Sequence, residues 1–205
     1  MLAVLGLLLL TAAPAGAVEP HKMTAADKAD VARVESYLNG LVTLESRFLQ
    51  ASSNGGFAEG TLYLNRPGRM RIQYDPPSPI LMVADGRFLI YYDKKLEQVS
   101  YLGLDSTPAG ILLDDTVSLS DGRVIITGME RGKGTLNISL VRAEDPLSGH
   151  LTLTFEEKPL ALKKWFVVDA QGLVTTVSLL DPHTGVTLDP DLFRFRDPNF
   201  FKNPQ

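Results

Sequence analysis

Residues 60–77 have the sequence GTLYLNRPGRMRIQYDPP, which gives the clearest indication of the fold class. Apolar and polar side chains alternate on both sides of an Arg-Pro-Gly turn at 66–68. A period of two is typical of β-strands that bury one face. Proline fixes φ and glycine accepts a positive φ, so the turn favours a tight reversal of the chain. The stretch therefore predicts a β-hairpin with one apolar face.

The same alternation continues along most of the chain after residue 44. Short alternating runs follow one another, and turns that contain glycine, such as Asp85-Gly86 and Asp121-Gly122, separate them. Connections this short join antiparallel strands, whereas parallel strands need long crossovers. The runs that we interpret as strands span residues 44–50, 58–65, 69–74, 80–84, 87–92, 96–101, 123–130, 135–142, 150–156, 163–169, 173–180 and 192–196.

Two segments depart from the strand pattern and predict helices. Thr24 and Asp27 form a capping box before apolar residues that recur at helical spacing up to Gly40. Thr107 caps a second, short apolar helix that continues to Leu113. So many strands with so few helices exclude a doubly wound sheet, and the sheet must curl or pack against the helices. We expect a mainly β (α+β) fold, a curved, barrel-like antiparallel sheet with helices laid over it.

Residues 1–17 have the pattern of a removable export signal. They contain no charged residue and pass from an apolar core at 2–10 into small residues that end with Ala15-Gly16-Ala17. The core has about half of the ~20 residues that a helix needs to span a bilayer, which favours cleavage after Ala17 over a permanent anchor. We expect residues 18–205 to form a single domain that works outside the cytoplasm.

The composition excludes several classes of function. The formal net charge of -4 and the pI of about 5.4 disfavour a nucleic-acid-binding protein, which would need a basic face. The chain has no cysteine, no Gly-x-Ser-x-Gly motif and no phosphate-binding glycine-rich loop. Its histidines lack the spacing of a zinc site, and Asp181, Asp189 and Asp191 suit ordinary turns better than a calcium site. We therefore expect no catalytic residue, no metal site and no cofactor.

Residues 60–77 resemble the early hairpin of the LolA-type outer-membrane lipoprotein carriers. Further motifs in the same order are similar to that family, and together they extend the resemblance over nearly all of residues 18–205. Each motif is common by itself, so the shared order carries the resemblance. The motifs are Phe48-Leu49-Gln50, similar to the family's Phe-x-Gln after its first helix, then VADG at 83–86, YYD at 91–93, the Thr-Pro-x-x-Leu-Leu helix at 107–113, and LFRF at 192–195.

The resemblance implies a strongly curved, antiparallel incomplete barrel with helices covering an apolar concave face. It also implies a periplasmic carrier that shields the acyl chains of lipoproteins. Such a carrier collects them from an inner-membrane lipoprotein-releasing ABC transporter and hands them to an outer-membrane receptor. Exposing an acyl chain of about 16 carbons to water costs on the order of 10 kcal/mol, at roughly 0.8 kcal/mol per CH2, so a soluble shuttle must enclose it. We expect a monomer that is not an enzyme.

Strand alternation supplies the candidates for the apolar cavity, and the second predicted helix supplies those for its lid. Ordinary core packing is the alternative at every one of these positions, and alternation alone does not separate the two. The candidates are Leu62, Leu64, Met70, Ile72, Phe88, Ile90, Leu136, Ile138, Leu140, Leu151 and Leu153, with the lid residues Ile111, Leu112 and Leu113.

Arg66 is the most specific single candidate. The resemblance implies that its guanidinium hydrogen-bonds to backbone carbonyls of the lid and holds the empty cavity closed. The alternative is a solvated arginine in a hairpin turn. Arg69 and Arg71 lie on the opposite face of their strand from the cavity candidates, and we expect both to be solvated, with partner docking as the alternative.

Two other functions stay open. The same fold could carry or sense another lipid or a glycolipid, and a sealed β-rich interaction module would need no ligand. A hydrolase of envelope polymers ranks lowest, because the sequence has no nucleophile motif or paired carboxylates typical of one.

Overall fold

The computed structural model of the chain describes residues 18–198, and the predicted export signal at 1–17 lies outside the described residues. Eleven antiparallel strands form one sheet in this part of the chain. The strands are β1 (Thr43–Ser52), β2 (Phe57–Asn65), β3 (Arg69–Tyr74), β4 (Ile80–Asp85), β5 (Phe88–Asp93), β6 (Gln98–Gly103), β7 (Val124–Arg131), β8 (Thr135–Arg142), β9 (Gly149–Glu157), β10 (Leu160–Asp169) and β11 (Val174–Thr184).

The strands form two meanders that meet in the middle of the sheet. Their order is β6-β5-β4-β3-β2-β1-β11-β10-β9-β8-β7. The first and last strands in sequence, β1 and β11, pair with each other and join the two meanders. The sheet is open and curved, with β6 and β7 at its edges, which confirms the mainly β fold predicted from the sequence.

Helix α1 (Ala25–Gly40) begins and ends where the sequence predicts. The Asp27 amide donates to the Thr24 hydroxyl at 3.1 Å, and the Thr24 amide donates to the Asp27 carboxylate at 2.8 Å, which confirms the capping box. The buried stripe of α1 belongs to the same apolar cluster as the concave faces of β8 and β9, so the helix covers that half of the sheet. The stripe consists of Val31, Val34 and Leu38.

Helix α2 (Pro108–Leu113) lies between the two edge strands in sequence and is also present as predicted. The Gly110 amide donates to the Thr107 hydroxyl at 3.3 Å and so caps the first turn. The segment after α2 is tied to α1, because the Asn39 side chain donates to the Val117 carbonyl at 2.9 Å and accepts from its amide at 2.8 Å. Both helices therefore belong to one cover over the concave face.

One predicted strand is absent from the structure, and the ends of several others differ. Residues 192–196 do not form a strand, because the chain there makes a 3-10 turn (Pro190–Phe193) that the Asp189 side chain caps. Strand β6 begins at Gln98 rather than at residue 96. The Asp93 carboxylate accepts hydrogen bonds from two of the amides that follow it and so holds them in a turn.

The C-terminal segment lies on the convex face of β3 and β4. Phe193 is 3% exposed, and the rings of Tyr92 and Phe195 meet edge-on with 5.5 Å between their centroids. Arg71 donates to a backbone carbonyl of this segment at 3.1 Å, and burial lowers the pKa of its guanidinium. The expectation that Arg71 is solvated was wrong, because a segment more than a hundred residues away covers it, whereas Arg69 is exposed.

Candidate functional site: an apolar cavity beneath a short helix

An apolar cavity of about 340 Å³ lies between the concave face of the sheet and the two helices. Strands β1 to β5 and β9 to β11 form its walls, and the C-terminal ends of α1 and α2 close one side. Aliphatic side chains and methionines make up most of the lining. The polar side chains among the lining residues are Gln50, Arg66, Tyr74, Tyr91, Thr107 and Thr175.

Half of the candidate residues from the sequence line this cavity. They lie on the first hairpin, on α2 and on β9, and they are Leu62, Leu64, Met70, Ile72, Leu112, Leu113 and Leu151. The remaining candidates lie outside the lining, and they are Phe88, Ile90, Ile111, Leu136, Ile138, Leu140 and Leu153.

Strand β5 has the opposite phase from the one predicted from the sequence. Leu89 and Tyr91 line the cavity, so Phe88 and Ile90 lie on the convex face. Ile90 is nevertheless 3% exposed, because it pairs with the buried Val83 of β4 on that face. Both faces of β5 are apolar, and alternation therefore could not show which one faces the cavity.

The candidates on β8, together with Leu153 on β9, lie on the concave face but in packed core. Leu136, Ile138, Leu140 and Leu153 are each 0% exposed and share one apolar cluster with the buried stripe of α1. The helix thus fills this half of the concave face, and the cavity remains in the other half. Ile111 of α2 is 6% exposed and also packs into the cluster. These candidates are therefore ordinary packed core rather than part of the cavity lining.

The cavity residues of β10 are not among the candidates predicted from the sequence. A β-bulge interrupts the pairing of β9 and β10 between Leu162 and Lys164, and it adds one residue to β10. Strict alternation from Leu162 would place Lys164 in the cavity, whereas the bulge brings Trp165 and Val167 there instead. The Lys163-Lys164 pair within an apolar strand is the sequence feature that could have indicated the bulge.

Arg66 occupies the point where the two helices end. Its guanidinium donates from Nη1 to the Leu38 carbonyl in the last turn of α1, and from Nη2 to the Asp114 carbonyl at 2.6 Å, directly after α2. A longer contact of 3.4 Å joins Nη2 to the Asp115 carbonyl. The neighbouring Gly68 amide donates to the Leu113 carbonyl at 2.8 Å. The first hairpin is therefore bonded through side chain and backbone to the end of α2.

Unpaired carbonyls at the C-terminal ends of helices carry partial negative charge and attract cations. Two such ends meet at Arg66, which explains why a charged side chain lies only 9% exposed at this position. Burial lowers the pKa of the Arg66 guanidinium, and the charges of Asp114 and Asp115 oppose that effect. Arginine stays charged at neutral pH, so its hydrogen bonds to the carbonyls are charge-assisted.

Within residues 18–198, no cluster of three or more histidine, aspartate or glutamate side chains has the geometry of a metal site. The helices in the same range are too short or too polar to cross a membrane.

Comparison with known proteins identifies the family of this chain. Residues 39–196 match the family described as outer membrane lipoprotein carrier protein LolA. The chain belongs to the LolA family. An outer-membrane lipoprotein carrier protein from Pseudomonas syringae pv. syringae is 30% identical over 202 residues, which cover 94% of this chain and 94% of that protein. One from Methylococcus capsulatus is 31% identical over 176 residues, which cover 81% and 83%. An uncharacterized protein from Rickettsia prowazekii is 26% identical over 172 residues, covering 83% and 78%.

The LolA match includes all eleven strands and α2, and it begins near the end of α1. Most of α1 therefore precedes the matched region, although its last turn contributes Leu38 to the cavity and a carbonyl to Arg66. The family match thus covers the sheet and α2, and the contacts of most of α1 are seen in the structure of this chain.

Proposed function

We propose that this protein is a periplasmic carrier that shields the acyl chains of lipoproteins and shuttles them to the outer membrane. An inner-membrane lipoprotein-releasing transporter would load it, and an outer-membrane receptor would accept its cargo. The observation that carries the proposal is an apolar cavity of about 340 Å³ under a helical cover in a LolA-family chain. The names of the relatives from Pseudomonas and Methylococcus, which are outer-membrane lipoprotein carrier proteins, support the choice of cargo.

The physical properties of the cavity suit an acyl chain. Its volume lies at the lower end of the roughly 300–1,000 Å³ typical of ligand sites, and lipid tails gain about 0.8 kcal/mol for each CH2 that leaves water. Methionines at positions 70 and 82 line it. Their flexible thioether side chains adapt to hydrocarbon of varying shape.

We propose further that Arg66 holds the lid, defined here as α2 with Asp114 and Asp115. The lid meets the first hairpin through backbone carbonyls and the apolar residues Leu112 and Leu113. Breaking a few hydrogen bonds costs only a few kcal/mol, so thermal motion and the binding energy of the cargo can open the lid. The carrier itself then needs no source of chemical energy.

The proposal is tested by asking what the protein removes from membranes. Purified protein beginning at Val18 is incubated with inner-membrane vesicles that contain the transporter and an acylated lipoprotein, with ATP present. We expect the lipoprotein to appear in the soluble fraction in a one-to-one complex with the carrier, and mass spectrometry of that complex identifies the acyl groups.

Two neighbouring valines provide a matched pair of variants for this test. Val167 lines the cavity and Val168 is the next residue on β10, on the opposite face, and both are half-buried. Val167→Glu places a charge where hydrocarbon should lie and is expected to abolish release, whereas Val168→Glu should retain it. Recovery of a different lipid would assign the fold to another cargo. If both variants release the lipoprotein equally, or if no lipid is recovered with either variant, the carrier proposal is refuted.

A further inference from the structure

The cavity has one buried end beneath the lid and one more open end. At the lid end, Leu38, Leu64 and Leu113 are 2%, 7% and 2% exposed. The opposite end, where β1 pairs with the start of β2, carries Gln50 and Tyr74, both half-buried. We call these two residues the polar rim.

The polar rim has a fixed hydrogen bond and a free donor. The Tyr74 hydroxyl donates to Gln50 Oε1 at 2.7 Å, which fixes the orientation of the carboxamide. Burial raises the pKa of Tyr74 to about 12, so its hydroxyl is protonated at neutral pH and can donate this hydrogen bond. Among residues 18–198, no group accepts a hydrogen bond from Gln50 Nε2, which carries two hydrogens.

Packing around Tyr74 keeps the rim in place. The rings of Phe48 and Tyr74 meet edge-on at 90°, with 5.3 Å between centroids, and the Tyr74 hydroxyl also lies 3.9 Å from the Met82 sulfur. Gly60 leaves the room that the Phe48 ring occupies, because a Cβ at position 60 would stand 2.7 Å from that ring. Gln50 is therefore presented by a packed, aromatic support rather than by a mobile loop.

We propose that the polar rim is a subsite for the carbonyl oxygen of an acyl ester. An acyl chain is hydrocarbon along most of its length and carries one strong acceptor, the carbonyl, at its head. A chain with its tail in the buried end brings that acceptor to the open end, where Gln50 Nε2 donates to it. Tyr74 is a positioning residue that acts through Gln50. The inference rests on the proposed carrier function, because it requires the cavity to hold acyl chains.

The test compares two lipids that differ in the carbonyl. 1-Monolauroylglycerol has an ester, and 1-O-dodecylglycerol has an ether with the same number of chain carbons and the same head. Trp165 lines the cavity and is the only tryptophan of the chain, so its fluorescence reports binding of either lipid. We expect the wild-type protein to bind the ester about threefold to tenfold more tightly than the ether, the range that one hydrogen bond provides.

Variants of the rim should change this ratio without abolishing ether binding. Gln50→Leu and Gln50→Glu both remove the donor, so each should bring the ratio to about one. Tyr74→Phe frees the carboxamide to rotate and should give an intermediate ratio. Gln73→Leu is the matched control, because Gln73 lies on the convex face, where its side chain accepts from Arg71, and the wild-type ratio should persist.

The outcomes separate the subsite from the carrier. If the wild-type protein binds both lipids equally well, or if Gln50→Leu keeps the wild-type ratio, the subsite is refuted while the cavity still binds acyl chains. If neither lipid changes the Trp165 fluorescence or competes with the other, the carrier proposal itself fails, and the subsite fails with it. Urea unfolding verifies each variant, and Gln50→Glu or Tyr74→Phe decides the result if Gln50→Leu does not fold.

Discussion

Replacing Arg66 by methionine should release the lid while preserving most of the apolar stem of the side chain. The substitution removes the donors for the Leu38 and Asp114 carbonyls, and it removes the longer contact to the Asp115 carbonyl. It leaves the Gly68 amide as the bond between the hairpin and the end of α2. The lid should therefore open more often, even where the sheet remains folded.

The size of this effect follows from the two shorter hydrogen bonds. Charge-assisted hydrogen bonds contribute about 1.5–3 kcal/mol each, which gives about 3–6 kcal/mol for the pair. The carbonyl after α2 can regain water when the lid opens, and the guanidinium no longer has to be buried, so the net loss should be about 2–4 kcal/mol. At 1.4 kcal/mol per factor of ten, the open population should rise by at least about 30-fold.

Amide hydrogen exchange measures the opening directly. The Gly68 amide, bonded to the Leu113 carbonyl, and the Val117 amide, bonded to the Asn39 side chain, report on the two attachments of the cover. Both should exchange at least about 30-fold faster in Arg66→Met. Arg69→Met is the matched control, because Arg69 is exposed in the same hairpin. Unchanged exchange at both amides in Arg66→Met would refute the assignment of Arg66 as the residue that holds the lid.

Two further predictions concern stability. Gly60→Ala should destabilise the protein by about 2–4 kcal/mol in urea unfolding, because a Cβ there would stand 2.2 Å from the Gln73 carbonyl oxygen; Gly40→Ala, with nothing within 4 Å, is the control and should change little. For Asp27, hydrogen bonds from the Thr24 backbone and side chain and then from Arg131 hold the pKa well below its ordinary value. A carboxyl group with a lowered pKa in the folded state stabilises that state above its unfolded pKa and loses the effect as the pH falls. At pH values below about 4, the midpoint of urea unfolding should therefore decrease. Asp27→Asn should lower the midpoint at pH 7 and show a smaller decrease on acidification. A variant with the full wild-type pH dependence would contradict this role.

The local elements follow from residues that are close together in the sequence. The capping box before α1, the Thr-Pro start of α2 and the hairpin at 60–77 each depend on residues a few positions apart, and the structure confirms all three. The order of short motifs also identified the family, which the match over residues 39–196 confirms. Interactions of this kind need only neighbouring residues, so their pattern is complete in a short stretch of chain.

The apolar face that encloses the cavity, in contrast, depends on how the elements pack together. Alternation shows that a strand has an apolar face, but the cover of α1 turns the face of β8 into packed core and leaves that of β3 open to the cavity. The bulge in β10 shifts the phase of a strand by one residue, which reverses the direction of every later side chain. The partners of Arg66 lie 28 to 49 residues away in sequence. Burial, phase and such distant pairings depend on how separate elements meet, and no short stretch of sequence contains that information.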